Sequence, residues 1–329
     1  MHLTLLVPGL LWPREILRDT TFDLPLPALS TLLGRGRRSP LAGVDNWLAQ
    51  VFGLPRPLPA APLRLLGDGG VPGEGEWLCL DPVHLRIGER AAVVDAPANL
   101  ALDPEEDAAL RNILRPLIEG EIVAPVPGRW HLELPTPAAI ETLPLDQAVG
   151  RHATPDLPGG PAGPRWRRLL AEVQPVLHAH AVNRRREDAG RPTVNSLWPW
   201  GAGCLPSGAK HAFDRLLADE PLLRGLAIVA GMESRPLPAR FAPERGPTLA
   251  HFSRLVMPAA SFDATAWRAG LTALEDEWLA PALAALRSGA CRQLTLIADG
   301  DGGTLEITTT RHDLWRFWRK PVSLADLPA

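Results

Sequence analysis

The chain alternates short apolar runs with segments of helical periodicity, each closed by proline or glycine, and this alternation confines it to the α/β class. Leu3 to Val7 form an apolar run short enough for a buried strand. Helical spacing then appears at 27–35 and 44–52, and "EWLCL" at 76–80 is strand-like. From residue 97 the texture changes. In "NLALDPEEDAALRNILRPLIEG" Asp103 is placed to cap a helix, Pro104 suits its first position, and Leu110, Ile113, Leu114 and Leu117 recur on one face. "GRWHLELP" at 128–135 alternates as a strand, and a Pro/Gly-rich linker is expected at 155–164. "RWRRLLAEVQPVLHAHAVNRRREDAG" aligns Trp166, Leu169, Leu170, Val173, Leu177, His180 and Ala181 on one helical face, with a kink expected at Pro175. Beyond "LLRGLAIVAGM" at 222–232, the helix 265–288 carries a stripe of Trp267, Leu271, Leu274 and Trp278. "QLTLIADGDGGTLEITTT" closes the chain's fold with a hairpin turning at "DGDGG".

A length of 329 residues suits two domains, and 46% apolar with 22% charged residues suits a sizeable core. The formal net charge of −3 gives no general electrostatic case for nucleic acid or for an anionic membrane, and neither is expected as a partner. Lys210 and Lys320 are the only lysines; with abundant Arg, Ala, Gly and Pro this points to a GC-rich bacterial genome. Cys79, Cys204 and Cys291 are too few and too scattered for a disulfide framework, so reduced thiols and a cytoplasmic setting are expected. "MHLTLLVPGLLWP" lacks the basic start of a secretion signal and is broken at Pro8-Gly9.

Several stretches carry candidate chemistry. "VNSLWPWGAG" (194–203) sets Trp198 and Trp200 on one face of an extended segment, ahead of Gly201 and Gly203, with Asn195 placed to pin the strand. These residues are the candidate lining of a ligand pocket; the alternative is a ring pair packed in the core. Asp81 and His84 in "LDPVHL" offer an acid/base pair or ordinary turn chemistry and join the same candidate set. His178 and His180 are two apart on a helix and cannot share a metal, so His180 reads as a core histidine. "DGDGG" lacks the closing glutamate of a calcium loop, position 12 from Asp299 being Thr310, and reads as a turn. "RHDLWRFWRK" (311–320) reads as a helix docking Leu314, Trp315 and Trp318 onto the core; the alternatives are lying on a membrane or stacking on bases.

In combination, "WLCLDPVHLRI", "RWRRLLAEVQPVLHAHAVNRRREDAGRPTVNSLWPWGAG" and "LWRFWRKP" resemble the bacterial RpfE-type regulatory proteins. More distantly, the chain is similar to the archaeal-type cofactor-independent phosphoglycerate mutases of the alkaline phosphatase superfamily. The resemblance implies a doubly wound alkaline-phosphatase-like core formed by 1–95 and 192–329, with a smaller α/β domain inserted at 96–191. It also implies two divalent metals and a nucleophilic hydroxyl. In this sequence Pro8-Gly9 stands where the resemblance implies an Asp-Gly pair, and Val44 in "AGVDNWLAQVFGLP" stands where it implies the serine. "VMPAASFD" offers only Asp263 for an Asp/His cluster, and Asp299-Gly300 stands for an Asp-His pair. His312 is the remaining candidate for the last histidine.

The sequence therefore reads as a mutase-like scaffold without catalytic residues or cofactor, serving a small metabolite or a protein partner. The enzymatic alternative is a divergent mutase or phosphatase holding Mn or Zn through Asp299, Asp301 and His312; a second alternative is a structural interaction protein.

Overall fold

The computed structural model describes residues 1–87, 92–95, 97–150, 152–153 and 158–327. The start of the expected linker, 155–157, lies outside the described residues. The chain divides into two compact units, Met1–Arg56 with Gly208–Ala329, and Pro57–Ser207.

The first unit is built on a seven-stranded sheet. Its strands are β1 (His2–Val7), β2 (Arg37–Leu41), β10 (Arg215–Leu217), β11 (Glu233–Arg235), β12 (Pro247–His251), β13 (Gln293–Gly300) and β14 (Gly303–Thr310), in the order β11-β10-β12-β1-β13-β14-β2. The five strands from β11 to β13 are parallel; β14 runs antiparallel to β13 and to β2. Leu3, Leu5, Leu6 and Val7 are all buried, as are Leu294 to Ala298, so β1 and β13 are covered on both faces. Continuous burial of this kind is the mark of a doubly wound parallel sheet. The edge strand β2 exposes Arg37, Arg38 and Pro40, residue types that discourage further strand pairing.

The expected helices at 27–35 and 44–52 are present at Pro27–Arg35 and Val44–Phe52. The hairpin turns at Asp301-Gly302, with Gly300 opposite Gly303. A Cβ at Gly300 would come within 2.3 Å of the Leu11 carbonyl oxygen, so the turn packs where only glycine fits.

The expected helix 265–288 runs from Ala264 to Ser288 but widens to a π-helical segment at Leu274–Leu279. Pro281 has no amide to give the carbonyl of Glu277 four residues earlier. Phe241 N donates to that carbonyl instead, at 2.9 Å. The segment also turns the buried Glu275 carboxylate onto the start of helix Pro27–Arg35. There it accepts from Ala28 N and Leu29 N at 2.6 and 2.9 Å. Leu26, at the N-cap, has no side chain able to cap. Glu275 thus supplies from a distant element what the local sequence lacks.

The second unit holds an antiparallel sheet in the order β6-β7-β3-β9, made of β3 (Glu76–Val83), β6 (Ile122–Val126), β7 (Arg129–Leu134) and β9 (Ser196–Cys204). A smaller sheet joins β4 (Leu85–Ile87), β5 (Ala92–Val94) and β8 (His152–Ala153). The unit boundaries at 57 and 207 differ from those expected at 96 and 191. The reason is pairing: β3 and β9 are neighbours along Glu76–Val83, and together with β7 they form the sheet of this unit. The texture change near residue 97 marks an internal transition, from the strands to the helix Pro104–Leu114 capped by Asp103.

Two further expectations are corrected. The helix beginning at Gly163 runs through Pro175 to Ala179, and His180 is not a core histidine. It is half-buried and accepts from Val182 N to start the next helix, Ala181–Asp188. The docked helix expected over 311–320 stops at Leu314, and Trp315, Phe317 and Trp318 are 69%, 80% and 68% exposed.

Candidate functional site

The aromatic-glycine stretch lies on β9 and is satisfied within its own unit. Asp81 on β3 is buried beneath Arg64, which extends from the helix Ala60–Gly67 and donates two hydrogen bonds to the carboxylate at 2.7 Å each. Asp81 also accepts from Trp130 N at 3.1 Å and from Trp200 Nε1 at 2.8 Å. Arg64 adds bonds to His131 Nε2 and to the Trp130 carbonyl, and its guanidinium lies 5.1 Å from the centre of the Trp200 ring. Burial alone would lower the Arg64 guanidinium; the Asp81 charge outweighs it and holds the group above its ordinary value. His131 is pushed down to about 3 by burial and then by the neighbouring Arg64 charge, so it accepts from Arg64 as a neutral ring. An ion pair with every lone pair engaged is a packing node and has no free base to offer.

The expected acid/base pairing of Asp81 with His84 is therefore not formed. His84 Nδ1 donates to the Thr193 carbonyl at 2.7 Å, a link between neighbouring segments. Asn195 does pin the strand: its side chain accepts from Leu85 N at 2.7 Å and donates to Leu85 O at 2.9 Å. Trp198 and Trp200 are both buried, and Trp198 Nε1 donates to the Leu143 carbonyl, so neither ring lines an open pocket. The glycines have a packing reason. A Cβ at Gly201 would stand 2.8 Å from Ala60 Cβ, and one at Gly203 would stand 2.6 Å from Pro59 Cβ. Helix Ala60–Gly67 and its lead-in rest on β9 because these two side chains are missing.

The other place where chemistry is expected is the carboxyl end of the parallel strands, where α/β sheets bind ligands. Pro8 and Gly9 follow β1, Asp299 and Gly300 end β13, and Leu11 N donates to the Asp299 carbonyl. Gly43 and Val44 open the helix Val44–Phe52 at the same end, with Asp45 close enough to feel the Asp299 charge. Partial burial raises both carboxyls, and charge repulsion adds to it, from Asp299 on Asp45 and from Asp301 on Asp299. Thr304 Oγ1 donates to Asp299. Beneath Gly9 the packing is apolar: the buried Trp12 stacks on Trp267 with ring centres 4.6 Å apart, and Trp267 Nε1 donates to the Gly9 carbonyl. His251 closes β12. It is buried, its Nδ1 has no hydrogen-bond partner, and burial pushes it down to about 4. Its one signal in the sequence is its place at the close of the short apolar run "TLAH".

The alternative metal set does not assemble. Asp299 lies beside the hairpin turn, whereas His312 follows Thr310 at the far end of β14. Eight strand residues span about 25 Å, far beyond any shared coordination sphere. Among the described residues no three His, Cys, Asp or Glu side chains are grouped to hold a metal ion. A two-metal phosphoryl-transfer centre requires several anionic and imidazole ligands around each ion. Pro8, Val44 and Gly300, the residues that the resemblance sets against such positions, carry no side chain that ligates a metal.

No protein-family model matches the chain. A stretch of 101 residues is 31% identical to a 2,3-bisphosphoglycerate-independent phosphoglycerate mutase of Methanosarcina barkeri, covering 29% of this chain and 25% of that protein. A stretch of 136 residues is 29% identical to the enzyme of the same name from Methanothrix thermoacetophila, covering 39% of this chain and 34% of the other. About a third of the chain is thus similar in sequence to cofactor-independent phosphoglycerate mutases. The match spans only a quarter to a third of the length of these relatives. The solved structure of the PH0037 protein from Pyrococcus horikoshii shares the fold, with a TM-score of 0.51 at 15% identity over 98% of this chain and 91% of that one. The fold is accordingly of the α/β, alkaline-phosphatase-like type.

Proposed function

We propose that this chain is a non-catalytic protein of the RpfE-type regulatory kind, sensing a small metabolite or a protein partner on a phosphoglycerate mutase-like scaffold. The observation that carries the reading is the chemistry of the strand ends. Pro8 and Val44 present hydrocarbon where metal-assisted phosphoryl transfer needs an anionic ligand and a hydroxyl nucleophile. The absence of a disulfide among the described residues supports a reducing, cytoplasmic setting. One observation favours a second reading: Asp45 and Asp299 approach as like charges, an arrangement that a single Mn or Zn ion would relieve in a divergent mutase or phosphatase.

Metal content and turnover separate the two. Protein purified after growth with Mn and Zn is expected to hold well under one ion per chain and to show background mutase and phosphatase rates. Stoichiometric metal with turnover that disappears in Asp299→Ala would overturn the non-catalytic reading. Sensing is tested by thermal shift with 3-phosphoglycerate and related phosphorylated or acidic metabolites. A rise of several degrees is expected for one of them, and flat melting across the series removes the metabolite arm.

A further inference from the structure

We propose that the turn 315–320 is a docking element for an anionic lipid surface. The chain's net charge of −3 argues against such a surface for the molecule as a whole, but the charge is unevenly spread. Next to this turn lie Arg311, Arg319 and Lys320, all exposed, Arg316, which pairs with Asp313 at 3.1 Å, and Arg37, whose charge also acts on Asp313. Arg37 belongs to the edge strand, opposite Thr308 at the end of β14 that leads into the turn. Within this basic collar, Trp315, Phe317 and Trp318 stand more than two-thirds exposed.

The rings are held outward by the fold. Arg35 Nη1 donates to the Leu314 carbonyl at 2.7 Å, fixing the start of the turn to helix Pro27–Arg35. Val322 N donates to Ser30 O at 3.0 Å, fixing the other end to the same helix. Gly34 permits this approach: a Cβ there would stand 2.1 Å from the Lys320 carbonyl oxygen. Between the anchors, Phe317 N bonds Trp315 O and Arg319 N bonds Arg316 O. Three large apolar side chains are thus presented to solvent by a hydrogen-bonded scaffold.

The chemistry of the patch selects its occupant. Indole and phenyl groups settle at the headgroup boundary, and surrounding arginines and lysines are attracted by anionic headgroups. Phe317 and Trp318 meet edge to face, 5.3 Å apart at 80°, so they do not offer the parallel faces on which successive bases stack. Three rings bury roughly 450–750 Å², less than the ~800 Å² per partner of a stable protein interface.

The test uses the full chain and sedimentation with vesicles of phosphatidylcholine alone or with one-third phosphatidylglycerol. Binding is expected to the anionic vesicles only, with release in high salt. Partitioning should fall about thirtyfold in the double variant Arg319→Ala/Lys320→Ala, and at least tenfold in Phe317→Ala/Trp318→Ala. Both variants are expected to melt with the parent, since the altered side chains are exposed. No sedimentation with anionic vesicles, or equal sedimentation of parent and variants, would overturn the proposal. So would tighter binding of a thymidine oligonucleotide that both variants lose, or a dimer that both variants abolish.

Discussion

At the scale of single residues, burial decides what the polar groups of this protein can do. Trp200 and Asp81 look like pocket residues in the sequence, yet the indole donates to the carboxylate, and Arg64 completes the set. A hydrogen bond among buried partners stabilises the unit and leaves nothing to offer a ligand. His131 and His251 are buried as neutral rings, lowered to about 3 and about 4. In the unfolded chain each would titrate near 6.5. The unfolded state therefore takes up protons first as pH falls, so the stability linked to these groups is whole above about 6.5 and is lost progressively toward 4 for His251 and toward 3 for His131. Each is expected to contribute on the order of 3 kcal/mol to the acid loss. Urea melts between pH 7 and pH 4.5 check this, and His251→Phe should flatten the curve. An unchanged slope in that variant would show that His251 does not titrate in this window.

At the scale of elements, helices are completed by residues far away in sequence. Helix Pro27–Arg35 has proline at its first position and leucine at its cap, so its two free amides depend on Glu275, some 250 residues on. Glu275→Ala would leave both amides buried without an acceptor. A loss of about 2–4 kcal/mol is expected, read as a lower denaturant midpoint at constant slope. Glu275→Gln should retain part of that stability, because one amide oxygen still accepts. Equal stability of parent and Glu275→Ala would mean that the amides find another acceptor. The π segment that aims Glu275 follows from Pro281, whose missing amide frees the Glu277 carbonyl for Phe241.

For the whole molecule, the unit Pro57–Ser207 has its own buried cluster, in which Leu78, Leu80, Leu110, Trp130, Val173 and Leu197 come from five different elements. A core that closes on itself is the condition for independent folding. The fragment 57–207 is expected to unfold cooperatively on heating, with near-ultraviolet circular dichroism from its buried tryptophans. A fragment with secondary structure but no cooperative transition would show that its stability depends on the remainder of the chain.

The sequence by itself determined the α/β class, the Asp103 cap, the hairpin at Asp301-Gly302 and the strand-pinning role of Asn195. Each of these rests on local periodicity or turn chemistry, which short stretches of chain carry in full. Only the tertiary structure decided where the units divide, because β3 and β9 are over a hundred residues apart and their pairing leaves no mark on either segment. It also decided that Asp299 and His312 stand at opposite ends of one hairpin, and that Gly201 and Gly203 admit a helix in place of a ligand. The outward rings of Trp315, Phe317 and Trp318 belong to the same group: a periodic pattern names an apolar face, but the anchors at Arg35 and Ser30 set which way it looks. Long-range packing supplies what local pattern lacks, since a side chain's partner, and with it its chemistry, is fixed by neighbours in space.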